Sequence, residues 1–277
     1  MIRIVTESTA DIPSALTESL GITVVPSYVM FGSDTYRDGI ELTKKDFYEK
    51  LAETRTIPTT ATPAPAVYEE AYRRLSLETD EIISIHLDAK LSGLYGVASA
   101  AAQSIDEARI ATIDSQQVSM GYGWMAVAAA EAARRGDTWE QIIGLLEDMR
   151  DRAWVFAALD TLEFLYRGGR VGWVSTIVGT VLKIKPLIQV RKGEVTLLER
   201  VRTRARSLDR LVSRVEVLGP LERAIVLHAN DHDMAEQVAD SMESIDPDWQ
   251  RLVGEAGFTI TSHAGPGAIG VACVTAR

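Results

Sequence analysis

The sequence of 277 residues is poor in several features that mark particular classes of protein. Its single cysteine, Cys273, excludes an internal disulfide, which is typical of proteins kept in a reducing compartment. The N-terminus lacks the basic and apolar zones of a signal peptide, and no apolar run is long enough to span a bilayer. These absences predict a soluble protein of the cytoplasm.

Positive charge is also in short supply. The 29 Lys and Arg residues are outnumbered by 39 Asp and Glu residues, which gives a formal net charge of -10 at pH 7. A general nucleic-acid binder needs a surplus of cations to neutralise phosphates, so binding to nucleic acid is not expected. With 46% hydrophobic and 25% charged residues, the chain has the composition of a globular protein with a substantial core.

Strand-like apolar runs alternate with helical patterns along most of the chain, and this alternation is typical of an α/β fold with parallel sheet. The pattern restarts near residue 152, where a strand-like run follows a long helical stretch. We therefore predict two α/β domains with mostly parallel sheets, residues 1–152 and 153–277. Strands near 257–262 and at 268–274 are predicted to complete the chain.

Hydroxyl and small residues follow several predicted strands at the point where each strand ends. In open α/β sheets, ligands bind at the carboxyl ends of strands, where helix N-termini offer N–H groups to an anion. Ser and Thr add donors there without adding charge, although the same residues are also preferred helix caps. The candidate ligand residues in these loops are Ser8, Thr9, Thr60, Thr62, Ser92, Gly93, Asp114 and Ser115.

The second half of the chain supplies cations and a glycine-rich loop. Ten Lys or Arg and only three Asp or Glu lie within 183–214. Among them, Arg202 ends a predicted strand, where its guanidinium fork suits a carboxylate or a phosphate. Gly265 and Gly267 predict a tight loop with accessible backbone, and His263 before them is a candidate donor or general base.

Six segments with distinctive sequences occur in a fixed order along the chain. They are VTESTADIP at 5–13, LSGLY at 91–95, LEFLYRGGRV at 162–171, KPLI at 185–188, VRTRARSLDRL at 201–211 and HAGPGAIG at 263–270. Together they resemble the DegV family of bacterial fatty-acid-binding proteins, and the resemblance covers nearly the whole chain.

The resemblance implies a two-domain α/β protein that holds one long-chain fatty acid at the domain interface. Such a protein is the lipid-binding subunit of a fatty acid kinase and has no turnover of its own. It presents the carboxylate to a separate ATP-dependent kinase, which forms an acyl-phosphate for phospholipid synthesis. The family's carboxylate contacts fall on Thr60, Ser92, Arg202 and His263.

The same resemblance implies how the protein meets its partners. In this interpretation Arg170 is a candidate docking point for the kinase, and lipid exchange would involve transient membrane contact. No cofactor and no metal ion are expected. The absence of a Walker-type phosphate loop fits this interpretation, because ATP would then be held by the partner.

The chain departs from the family pattern at several positions near the expected head group. Ala61 and Thr62 replace the usual Ser-Gln, Asp88-Ala89 replaces Ser-Ser, Leu94 replaces Thr, and Glu7 replaces Asp. These changes concern head-group hydrogen bonding and acyl selectivity rather than the fold.

Two other functions stay open on the residues alone. A serine acyl hydrolase would use Ser92 as nucleophile and His263 as base, although no G-x-S-x-G elbow surrounds Ser92. A binder of a small phosphorylated or sugar-like ligand would use the same hydroxyl loops and Arg202. The apolar stretch 174–182 is a candidate lid or cavity wall in the lipid-binding interpretation.

Overall fold

The structure is a computed structural model that describes residues 1–54, 56–170, 184–245 and 249–277. The strands are β1 Arg3–Glu7, β2 Thr23–Val25, β3 Tyr28–Phe31, β4 Asp34–Arg37, β5 Thr59–Ala61, β6 Glu81–His86, β7 Arg109–Asp114, β8 Ala153–Ala158, β9 Lys185–Arg191, β10 Glu194–Val201, β11 Leu221–His228, β12 Val253–Glu255 and β13 Ile269–Thr275. The helices are α1 Ser14–Leu20, α2 Lys44–Thr54, α3 Pro65–Ser76, α4 Leu94–Ala102, α5 Met120–Arg135, α6 Trp139–Arg152, α7 Glu163–Gly168, α8 Arg204–Glu216, α9 His232–Ile245 and α10 Phe258–Ala264.

The first half of the chain forms a parallel sheet in the order β2-β1-β6-β7. Its central strand β6 is buried on both faces, since helices cover both faces. Ile82 packs with α3 and α4, whereas Ile83 and Ile85 pack with α5. A small antiparallel sheet, β4-β3-β5, lies beside it. The predicted α/β class is confirmed, and so is parallel pairing in this first sheet.

The second sheet differs from the expected parallel pairing. Its order is β10-β9-β8-β13-β11-β12. Among the described strands of this sheet, β11 and β12 pair in parallel and the other neighbouring strands pair antiparallel. Lys192 and Gly193 have φ of 50° and 73°, the left-handed turn that joins β9 and β10 as a hairpin. The last strand, β13, then returns between β8 and β11 and runs antiparallel to both.

The Ala-rich helix α5 packs between the two large sheets. Close packing depends on its glycines, since a Cβ at Gly121 would lie 2.6 Å from the Val155 side chain and one at Gly123 would lie 2.6 Å from the Ala10 carbonyl oxygen. The resulting core joins side chains from before and after residue 152. The division into domains 1–152 and 153–277 therefore stays a prediction.

The segment predicted as a strand near 257–262 is instead the start of helix α10. Its first backbone N–H groups are satisfied by aspartate side chains distant in sequence. Asp11 accepts from Gly257 N at 2.8 Å, and Asp38 accepts from Phe258 N at 3.0 Å and from Thr259 N at 3.2 Å. Such N-terminal capping stabilises a helix against the strand propensity of its Thr and Ile residues.

Within the described parts of the chain, no helix combines the length and the apolar character needed to cross a membrane.

Candidate ligand-binding site

An apolar cavity lies between α10, one face of the second sheet, and the loop that leads into α4. Its space is about 1080 Å³, counted with its open mouth. Ligand cavities for apolar molecules are typically lined in this way, by aliphatic side chains with a few polar groups. The aliphatic residues that line it are Leu87, Leu91, Leu94, Val118, Val155, Ala157, Leu159, Leu165, Ile188, Val190, Val195, Leu227, Ala229, Ala256, Ile260, Ala264, Ala268 and Val271.

Polar groups gather where this cavity meets a second, more polar cleft. Thr60, Arg170 and His263 line both spaces, and Ser92 lines the apolar one. Thr60 Oγ1 and His263 Nε2 are 3.1 Å apart and hydrogen-bonded, although the residues are 203 positions apart in the chain. Two of the four predicted carboxylate-binding residues, Thr60 and His263, therefore meet where the two spaces join, and a third, Ser92, lines the same cavity.

Ser92 combines the two roles that its sequence position suggests. It follows β6 and precedes α4, and its Oγ accepts a hydrogen bond from Leu94 N at 3.3 Å, which satisfies an N–H group at the helix start. The hydroxyl proton is not used in that bond. Because Ser92 also lines the cavity, this proton is available to an acceptor there.

Burial, and secondarily the nearby charge of Arg170, lowers the pKa of His263 to about 4. The imidazole is therefore neutral at pH 7 and carries one donor and one acceptor nitrogen. Nε2 faces Thr60, whereas Nδ1 is buried with no hydrogen-bond partner among the described residues.

Arg170 is the cation that lines the cavity in the described structure. Its guanidinium donates to the Gly168 carbonyl at 2.6 Å and to the Leu91 carbonyl at 3.4 Å. Among the residues described, no carboxylate lies within ion-pair distance of it. Its charge is thus available to an anion at the cavity mouth.

Arg202, the fourth predicted carboxylate-binding residue, is placed differently. It follows β10, is exposed, and does not line the cavity. The nearby Arg204 is the anchored one, since it pairs with Asp160 and Asp231 and donates to the Gly267 carbonyl. The predicted lid at 174–182 lies outside the described residues.

Of the secondary ligand residues in the first loops, Thr9 lines the cavity. Its Oγ1 lies 2.6 Å from the buried Tyr122 hydroxyl. Ser8 instead bonds Ser27 at 2.8 Å and does not line the cavity. The Thr62 methyl group packs against Gly93 and would lie 3.6 Å from a Cβ added to that glycine. Neither Thr62 nor Gly93 lines the cavity.

The remaining predicted loop residues serve the local backbone. Asp114 accepts from the N–H groups of Ala89 and Gln116, and Ser115 accepts from Gln117 N at 3.1 Å. Gly265 and Gly267 have φ of 84° and 78°, which a residue with a Cβ adopts only with strain. None of these four predicted residues lines the cavity, so the structure places them as supports of the loops around it.

Two departures from the family pattern have structural partners. The Glu7 carboxylate is fully buried, 2.8 Å from His86 Nδ1, and also accepts from Leu87 N at 3.0 Å. Burial raises the pKa of Asp88, whose carboxylate accepts from Lys90 N at 2.7 Å and packs against the Gly193 turn.

Sequence reasoning missed Ser119, His228 and Thr259, which also line the cavity. Thr259 Oγ1 bonds Ser27 at 2.9 Å, and Ser119 donates to Asp11. Burial raises the pKa of Asp11 to about 8. The helical spacing of Thr259 and His263 would have been a signal, but only once 258–264 was assigned to a helix.

The geometry bears on two kinds of chemistry. No imidazole lies within hydrogen-bond distance of Ser92 Oγ among the described residues, whereas a serine nucleophile requires such a base. In the described ranges, no cluster of three or more His, Cys, Asp or Glu is placed to hold a metal ion. The arrangement instead suits a largely apolar molecule with one anionic group.

Comparison with known proteins identifies the family. The DegV family model matches residues 1–276. A DegV domain-containing protein of Deinococcus radiodurans is 35% identical over 274 residues, which cover 98% of this chain and 97% of that protein.

Two solved structures share the fold at similar identity. One, reported as fatty acid binding of a DegV family protein from Thermus thermophilus, has a TM-score of 0.91, 33% identity and 99% coverage of both chains. The other is DegV of Bacillus subtilis, reported as a fatty acid binding protein, with a TM-score of 0.89, 32% identity and the same coverage. The resemblance in the six segments is thus confirmed: the chain belongs to the DegV family.

Proposed function

We propose that this protein binds one long-chain fatty acid, with the acyl tail in the apolar cavity and the carboxylate at Thr60, Ser92 and His263. The observation that carries the proposal is the cavity itself, which is mostly aliphatic along its walls and has Thr60, Arg170 and His263 where it meets the polar cleft. The fatty-acid-binding relatives from Thermus thermophilus and Bacillus subtilis support it.

The energetics of such a complex are favourable without many polar contacts. Burial contributes about 0.8 kcal/mol per CH₂, or roughly 12 kcal/mol for a sixteen-carbon tail. Association and ordering cost about 4–15 kcal/mol, so a long tail is needed for tight binding. A short or purely polar ligand would leave the aliphatic walls uncovered.

The carboxylate needs donors, because an unpaired buried charge is prohibitively costly. The hydroxyl protons of Thr60 and Ser92 are two such donors. The guanidinium of Arg170, which lines the same cavity, would supply the countercharge. Arg202, which the family resemblance assigns to this role, stays a prediction, and alanine variants of the two arginines separate the assignments.

We further propose that the protein is a binding subunit without turnover of its own. It would present the carboxylate to a separate ATP-dependent kinase that forms an acyl-phosphate for phospholipid synthesis. The open cleft beside His263 supports this, since it leaves a route from the carboxylate to another protein. Arg170 is exposed at this cleft and is also the proposed docking point for the kinase. The protein would act in the cytoplasm and would contact a membrane transiently during lipid exchange.

Native mass spectrometry of the purified protein, followed by solvent extraction, tests the binding proposal. We expect one fatty acid per chain, identified after release. An empty protein that takes up neither palmitate nor oleate would overturn the proposal and would favour a small phosphorylated or sugar-like ligand. Hydroxylamine trapping of acyl-phosphate, with ATP and a candidate kinase, tests the second step separately.

A further inference from the structure

The last residue of α7, Gly168, is in close contact with the imidazole of His263. A Cβ added to Gly168 would lie 2.4 Å from His263 Nδ1, a distance that real Cβ atoms essentially never show, and 3.1 Å from Cε1, which is also tighter than most real contacts. The backbone of Gly168 lies outside the left-handed region, unlike that of Gly169, whose φ is 69°. Gly168 is therefore required for the space it leaves to His263, not for its own conformation.

The same peptide unit also contacts Arg170. The Gly168 carbonyl accepts a hydrogen bond from Arg170 Nη1 at 2.6 Å. The backbone of Gly168 thus contacts both His263 and Arg170. Both of these residues line the apolar cavity and the polar cleft beside it.

The contact also decides which nitrogen of His263 carries the proton. Gly168 carries a hydrogen where an alanine would carry its Cβ, and this Cα–H bond points at His263 Nδ1. Nδ1 has no hydrogen-bond partner among the described residues. A proton on Nδ1 would be a buried donor without an acceptor, which is rare in folded proteins. Unprotonated Nδ1 instead faces a weakly positive Cα–H group.

The proton therefore belongs on Nε2, from where it is donated to Thr60 Oγ1, 3.1 Å away. Thr60 then donates its own hydroxyl proton to a third group. We propose that Gly168 is a positioning residue that fixes the His263 ring and thereby directs the hydroxyl of Thr60 toward the carboxylate of the ligand. This inference rests on the proposed fatty-acid function and adds a residue that acts through His263 rather than by contact with the ligand.

Two adjacent glycines provide a matched pair of variants. Gly168→Ala introduces the clash with the imidazole without strain in its own backbone. Gly169→Ala introduces backbone strain, but nothing lies within 4 Å of its added Cβ. A merely structural role of this turn predicts similar effects of both substitutions on binding, whereas the positioning role predicts an effect of Gly168→Ala alone.

The readout is affinity for palmitate compared with methyl palmitate, which has the same tail and no carboxylate. In Gly168→Ala we expect palmitate to bind about tenfold more weakly and the ester to bind within twofold of wild type. In Gly169→Ala the ratio of acid to ester affinity should equal that of wild type. An unchanged ratio in Gly168→Ala would overturn the proposal.

¹⁵N NMR of the imidazoles in the wild-type protein tests the same inference without a substitution in the turn. The chain has 4 His residues, so a His263→Gln spectrum assigns the signal. We expect unprotonated Nδ1 and protonated Nε2, and the reverse tautomer would refute the proposal even if Gly168→Ala does not fold. If the wild-type protein binds no palmitate, the proposed fatty-acid function is wrong. The tautomer of His263 still tests whether Gly168 fixes the orientation of its imidazole.

Discussion

The carboxyl group of Asp11 gives the sharpest prediction for stability. It lies at the N-terminus of α10, accepts from Gly257 N at 2.8 Å and from Ser119, and is only 8% exposed. Burial raises its pKa from 3.8 to about 8, against the lowering effect of these two hydrogen bonds. In the unfolded chain the group is exposed and returns to its ordinary pKa.

The sign of the pH dependence follows from this difference. Between pH 4 and pH 8 the folded protein holds a proton on Asp11 that the unfolded chain has released, so stability falls as pH rises through this range. His263 acts in the opposite sense, because its lowered pKa makes stability rise with pH up to its ordinary value of 6.5. Between pH 7 and pH 8 the Asp11 effect dominates and amounts to about 1 kcal/mol.

Asp11→Asn isolates this contribution. The amide keeps an oxygen for Gly257 N–H and can donate to Ser119 Oγ, but it does not titrate. Urea unfolding followed by tryptophan fluorescence at pH 7.0, 7.5 and 8.0 should show a declining free energy of unfolding in wild type and a flatter profile in the variant. Asp34→Asn, at an exposed position in β4, is the control and should follow wild type. Parallel profiles of wild type and Asp11→Asn would refute the reasoning, because Asp11 would then be ionised in the fold.

Two further predictions concern the cavity mouth. Arg170→Ala should weaken palmitate binding about tenfold while Arg202→Ala leaves it within twofold, as measured by isothermal titration calorimetry; the opposite ranking would return the carboxylate to Arg202. Ser92→Ala should lower stability by about 0.5–1 kcal/mol through the lost contact with the start of α4 and should also weaken palmitate binding. Thr138→Ala, which removes the capping box of α6, should cost a similar free energy of unfolding with no change in binding, so equal binding in both variants would confine Ser92 to capping.

Much of the fold is predictable from the sequence because its elements follow local patterns. The parallel sheet of the first half comes from strands that alternate with helices. The position of β13 between β8 and β11 cannot be predicted in this way, because strand order within a sheet depends on contacts between segments that are distant in sequence. The hairpin of β9 and β10 lies between these cases, because its Lys192-Gly193 turn is local and visible in the sequence.

The candidate site divides in the same way. Ser92 and His263 belong to recognisable short segments, so their presence at the cavity was expected. The choice between Arg170 and Arg202 was not, because both arginines stand in segments typical of the family and only the folded chain shows that Arg170 lines the cavity. The contact between Gly168 and His263 could not be predicted, because no sequence pattern relates these two positions.

Helix α10 explains why these local and distant contributions act together. One face of this helix carries Thr259 and His263 into the cavity, and its N-terminus is held by Asp11 and Asp38 from the first half of the chain. Since a seven-residue helix is not stable by itself, its position depends on those two aspartate side chains and on the cavity wall that it completes. The proposed head-group site is therefore expected to be sensitive to residues at the opposite end of the helix, and substitutions at Asp38 should affect palmitate binding through His263.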